Sequence, residues 1–236
     1  MQQPTTPAPK PQAAKPAPAP PPKPPAEFQE GAIATMDVAG LNKILQDPNA
    51  TEFQKAKACQ RAGEHADKSS VPALAALLTS EHLNMYARYG LEPIADPSAG
   101  DALRAAIPKL KGILLIGVVN SLNKRRDAKS APIFARMLAD PNPDLARAAA
   151  AGLGSIGNAE TVKTLQAALP KATGLLKMAV GDALLVAAER LMADGHREES
   201  FAVYSGLTAA SVPEPVRLAA MSGIIREKTS VTRPRS

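Results

Sequence analysis

The sequence predicts an all-α protein: an array of about six helical pairs behind a Pro-rich N-terminal arm. Three observations carry this expectation. Apolar residues recur at helical spacing, and no segment of the array alternates as a strand does. The helical segments restart about every 30 residues, a period that marks repeat arrays. Aromatic residues make up only 3% of the chain while Ala and Leu dominate, which suits closely packed helices. With 236 residues, 45% hydrophobic and 21% charged, the chain can bury a substantial core.

Residues 1–26 hold eleven of the 23 prolines, three lysines (Lys10, Lys15 and Lys23) and no acidic residue. Missing backbone donors and the lack of an apolar face predict a disordered, extended, polyproline-like arm over residues 1–30. Its simplest use is as a spacer; the sharper alternatives are a ligand for an aromatic groove or an envelope-spanning tether. An arm that opens on Gln-Gln and prolines is also what often follows a removed secretion signal. A periplasmic or secreted setting is therefore expected if such a signal precedes Met1 in the natural gene, and a cytoplasmic one otherwise.

The array is expected over residues 37–228, followed by a basic tail at 229–236. First-helix segments begin LNKILQD at 41, VPALAALLTS at 71, DALRAAIPKL at 101, APIFARMLAD at 131, AETVKTLQAAL at 159 and EESFAVYSGL at 198. Between them lie second-helix segments: TEFQKAKACQRAGEHAD, HLNMYARYGLE, ILLIGVVNSLNKR, DLARAAAAGLGSIG, GLLKMAVGDALLVAAERLMA and EPVRLAAMSGIIREK. In the fourth of these, Leu145, Ala149, Leu153 and Ile156 share one face. Helices of about ten residues are marginal alone, so each pair must bury its stripe against the next. Asp47-Pro48 and Asp140-Pro141 mark equivalent turns within pairs, where Asp is expected to cap the next helix and Pro to stop the last. Ser80, Gly112, Gly174 and Pro213 punctuate the other such turns, and Asp96-Pro97 and Gly157-Asn158 the turns between pairs.

The segment ADPNPDLARAAAAGLGSIGNAETVKTLQAAL resembles a HEAT repeat, with an Asp-containing turn, an early Arg and an Ala-rich second helix ending LGSIG. VPEPVRLAAMSGI repeats the second-helix half with Arg217, and Arg88 lies at a similar place. The resemblance, to HEAT-like proteins of bacterial type, implies a right-handed α-α superhelix and a protein-binding scaffold rather than a reaction. It also implies that Asp140, Arg147 and Arg217 form a buried ladder between neighbouring repeats.

Motifs for chemistry are thin. Gly152-Leu153-Gly154-Ser155-Ile156-Gly157 spells GxGxxG, but the dinucleotide motif must follow a strand and open a helix. Here it ends an Ala-rich helix, which predicts packing and C-cap glycines. His65, His82 and His196 are scattered, and the single Cys59 fits a small core residue; no catalytic, metal or cofactor set is expected. The longest apolar run, Ile113–Val119, is far short of the roughly 20 residues a membrane helix needs.

The polar signal lies in the charge distribution. Net charge is +6, and residues 71–130 hold eight basic and five acidic residues. Lys109, Lys111, Lys124, Arg125, Arg126 and Lys129 are candidate partner-binding residues, with solvated helix ends as the plainer alternative. Tyr86 and Tyr89 join them, one ring expected in the core and the other on the inner wall as an anchor. The expected function is a non-enzymatic scaffold for a protein partner; the alternative is nucleic-acid or anionic-polymer binding through the basic patch at residues 104–129.

Overall fold

The computed structural model describes residues 31–231. The Pro-rich arm and the tail beyond residue 231 lie outside them. Among the described residues there are twelve α-helices and no strand. In chain order they are α1 (Val38–Gln46), α2 (Glu52–His65), α3 (Val71–Ala76), α4 (Asn84–Leu91), α5 (Pro97–Ala106), α6 (Gly112–Lys124), α7 (Ala131–Met137), α8 (Pro143–Ile156), α9 (Ala159–Ala168), α10 (Gly174–Ala193), α11 (Arg197–Gly206) and α12 (Glu214–Val231). The helical region overruns its expected limits at both ends: a 3-10 turn at Gly31–Thr35 packs on α2, and α12 continues past residue 228.

Local chemistry starts these helices at regular places. Asp37 accepts a hydrogen bond from the Gly40 amide, Asp67 from Ser69, Asp96 from Ser98 and Asn158 from Thr161, each at 2.8–2.9 Å. Asp127 opens the equivalent turn before α7, where it accepts from the Ser130 hydroxyl and from Arg104. The first four side chains each satisfy an amide donor that a helix start would otherwise leave orphaned, whereas Asp127 accepts from side chains alone.

The turns within pairs follow a second rule. Asp47 accepts from the Asn49 amide at 2.8 Å and Asp140 from the Asn142 amide at 2.9 Å. These aspartates fold the turn rather than cap the following helix, because the cap falls two to four residues later. Thr51 forms a capping box with Gln54 at the start of α2, and Asn142 accepts from the Asp144 and Leu145 amides at the start of α8.

Each odd-numbered helix packs on the even-numbered helix that follows it. The even-numbered helices also pack in succession, α2 on α4, then α6, α8, α10 and α12. Leu41, Leu74, Leu91, Leu103, Leu122, Phe134, Leu153, Leu165 and Leu184 place one fully buried large side chain on each of nine helices, α1 and α3 through α10, within one continuous apolar cluster. Each such side chain removes enough apolar surface from water to contribute roughly 1.5–3 kcal/mol.

Small residues set how closely the helices approach. At Gly154 a Cβ would lie 2.5 Å from the Ala183 carbonyl oxygen, so α8 and α10 touch backbone to backbone. At Gly152 the space is filled by the Phe134 ring, and Gly157 ends α8 at φ +64°. The GxGxxG lettering thus encodes two packing contacts and a left-handed cap, as its position at a helix end implied.

Candidate partner-docking surface

The chemistry of the basic segment is decided by which cations the fold has already used. Arg125 follows α6 and turns inward: its Nη1 donates to the carbonyls of Leu91, Glu92 and Ile94 at 2.5–3.0 Å, and its Nη2 to that of Asp96 at 3.3 Å. These groups end α4 and lead into α5, so the guanidinium satisfies carbonyls that a helix C-terminus leaves open. Burial pushes it below the usual arginine value. Its donors are spent within the fold, which makes it a structural residue rather than a member of an outward patch.

Its neighbours divide. Lys124 is exposed and pairs with Glu92 at 2.7 Å, a hydrogen bond that holds its ammonium above the usual lysine value. Lys129 lies 3.7 Å from Asp101, and Arg104, within the same segment, pairs with both Asp101 and Asp127. Lys109, Lys111 and Arg126 are exposed. Arg126 stands at φ 51°, the only non-glycine residue with positive φ among the described residues. The patch is therefore laced with carboxylates, and its field is weaker than the sequence count suggests.

The expected ladder also falls elsewhere. Arg147 pairs with Asp144 one turn away on α8, with both side chains substantially exposed, and Asp140 accepts only from its own turn among the contacts found. Arg217 reaches the Ala210 carbonyl across the turn before α12 at 3.4 Å. Neither arginine makes a contact with a neighbouring pair in these bonds. The buried polar link between successive second helices is made by Arg88. Its Nε donates to Asn84 Oδ1 at 2.8 Å, and its Nη1 to the Gly117 carbonyl and to Ser121 Oγ, both at 3.2 Å. Ser121 Oγ in turn donates to Glu92 at 2.8 Å, and the Asn84 amide donates to the Leu78 carbonyl. α3, α4 and α6 are stitched together by this chain of bonds.

On α4 the two tyrosines differ in exposure. Tyr86 is half-buried against the core, whereas Tyr89 is 50% exposed and lies across Gly63 of α2, where a Cβ would be 2.5 Å from its ring. With Gln60, Glu64 and Met85 they line an open groove of about 380 Å³. The third tyrosine, Tyr204, is buried over Gly223.

Sequence reasoning missed most of the exposed apolar side chains. Nine large hydrophobic side chains are exposed among the described residues: Met85, Tyr89, Ile113, Leu175, Val186, Phe201, Leu218, Met221 and Ile225. All except Phe201 sit on even-numbered helices, and Ile113 and Leu175, at 82% and 70% exposure, follow the positive-φ glycines that open α6 and α10. The available signal was the turn pattern Gly112-Ile113 and Gly174-Leu175, a bulky aliphatic residue placed beyond the buried stripe.

No protein-family model and no curated protein matches the chain. The site must be read from its own chemistry. Among the described residues no three His, Cys, Asp or Glu side chains group as a metal site, and no helix is long and apolar enough to cross a membrane. Cys59 is fully buried on α2, and burial pushes its thiol up to about 12.

Proposed function

We propose that this chain is a non-enzymatic protein-binding scaffold whose helices form a HEAT-like solenoid, a right-handed superhelix of six pairs, with the second helices lining the docking wall. The solenoid reading is supported by the succession of even-numbered helices and by the Asp or Asn that opens each turn before a first helix, spaced 30, 29, 31 and 31 residues apart from Asp37 to Asn158. The observation that carries the function is the distribution of exposed large hydrophobics, eight of the nine among the described residues lying on even-numbered helices. Scattered apolar side chains need no explanation, but a bias to one set of helices is the mark of a surface with an apolar partner. Anionic-polymer binding has less support, since Arg104, Lys124, Arg125 and Lys129 are engaged within the fold.

The test is photo-crosslinking in the native cell, with a photoreactive residue placed at Tyr89, Ile113, Leu175 or Leu218, and at the exposed first-helix positions Lys163 and Gln166 as controls. Discrete protein adducts from the second-helix positions alone support the proposal. Equal adducts from both sets, or nucleic acid as the captured species, reject it.

A further inference from the structure

We propose that the Pro-rich arm of this same chain docks in cis in the groove formed by Gln60, Glu64, Met85, Tyr86 and Tyr89. Four observations converge. The groove is the only place among the described residues where two tyrosines lie together, and the Tyr89 ring is laid open by Gly63 beneath it. Flat aromatic surfaces with nearby hydrogen-bond donors are what proline-rich segments recognise, because such segments carry carbonyls with no internal partner and rings that stack on aromatic faces. The tyrosine hydroxyls and the Gln60 amide are donors of that kind.

The arm supplies a matching pattern. Residues 15–25 read KPAPAPPPKPP. In a helix of three residues per turn, Lys15, Pro18, Pro21 and Pro24 share one edge, so a single cation leads a row of three prolines. The groove offers one carboxylate, Glu64, whose side chain is 49% exposed although it also meets Arg61 and His65 on α2. A lysine would share this carboxylate with Arg61, while the prolines meet the tyrosines.

Placement completes the case. The arm joins the described chain at Gly31, and the 3-10 turn that begins there packs on α2, the helix that supplies Gln60, Gly63 and Glu64. α2 is about 21 Å long, whereas 30 residues of any chain can reach up to roughly 100 Å. The arm can thus span to the groove, and its tether gives an effective concentration on the order of millimolar, enough to populate an otherwise weak contact. Docking covers one end of the proposed wall and makes the arm an intrinsic competitor for a partner there. The interaction itself belongs to the isolated chain and does not depend on that partner.

The experiment is 19F NMR of the full chain labelled with 3-fluorotyrosine, in which the three tyrosines give three resonances. One variant carries Pro18→Ser, Pro21→Ser and Pro24→Ser; a control carries Pro7→Ser, Pro9→Ser and Pro11→Ser. The proposal expects the Tyr86 and Tyr89 resonances to move in the first variant alone, Tyr204 to stay in place, and the wild-type positions to be unchanged by tenfold dilution. Unmoved Tyr86 and Tyr89 resonances overturn docking, equal movement in the control overturns the proline register, and a dilution-dependent shift overturns docking in cis in favour of another copy's arm.

Discussion

The Arg88 guanidinium on α4 donates to the Gly117 carbonyl on α6 at 3.2 Å and occupies the space that a Cβ at residue 117 would need, 2.8 Å from three of its atoms. Glycine and arginine are here a complementary pair. Gly117→Ala is expected to push the guanidinium out of its bonds to Gly117 and Ser121 and to cost about 1–2 kcal/mol. Arg88→Ala, which leaves the buried Asn84 Oδ1 without its donor and removes one bond to Ser121, is expected to cost about 2 kcal/mol. In the Arg88→Ala background the sign of Gly117→Ala reverses, since alanine favours a helix interior over glycine by about 0.5–1 kcal/mol. Chemical denaturation of the four chains measures the coupling, and an additive double variant would show that the two residues are independent.

Arg125 and Arg126 are neighbours in sequence with opposite expected effects. Arg125→Ala removes the donor to four carbonyls and is expected to destabilise by about 2–3 kcal/mol. Arg126→Gly relieves a left-handed backbone at φ 51° and is expected to stabilise by about 1 kcal/mol. Unfolding midpoints of the two single variants check both signs.

The same two arginines show what the sequence could and could not carry. The helix starts and the role of the GxGxxG glycines were legible because turn and cap chemistry is local, written within two or three residues of each Asp or Asn. The inward course of Arg125 was not legible. It depends on carbonyls about 30 residues earlier, brought beneath it only when α4 and α6 pack. For the same reason the buried link fell on Arg88, which meets Gly117 and Ser121 of α6, rather than on Arg147, which pairs with Asp144 on its own helix. The exposed apolar residues were half legible: Tyr86 and Tyr89 stood out as rare aromatics, whereas Leu218, Met221 and Ile225 look like core residues until α12 is seen to bury Val216 and Ala220 instead.

Cys59 offers a pH-dependent test of core placement. Burial raises its thiol from 9.0 to about 12 in the folded chain, so the folded state holds this proton more tightly than the unfolded state does. Its contribution is fully present below about pH 9 and is lost as pH rises from there towards 12. The native thiol is expected to resist a disulfide reagent at pH 8 and to react fully in denaturant. Cys59→Ala is expected to cost about 1 kcal/mol at pH 8 and to flatten the stability loss between pH 9 and 11, read from denaturation midpoints.

Docking on the second-helix wall is tested most directly by the equilibrium affinity of the cross-linked partner, purified, for three forms of the full chain. These are the wild type, a wall variant carrying Tyr89→Ser, Ile113→Ser and Leu218→Ser, and Phe201→Ser, which alters the one exposed large hydrophobic on a first helix among the described residues. The wall variant is expected to raise Kd by about tenfold or more, as loss of interface anchors does, with Phe201→Ser within about twofold of wild type. An unchanged Kd for the wall variant, or a loss confined to Phe201→Ser, would contradict it.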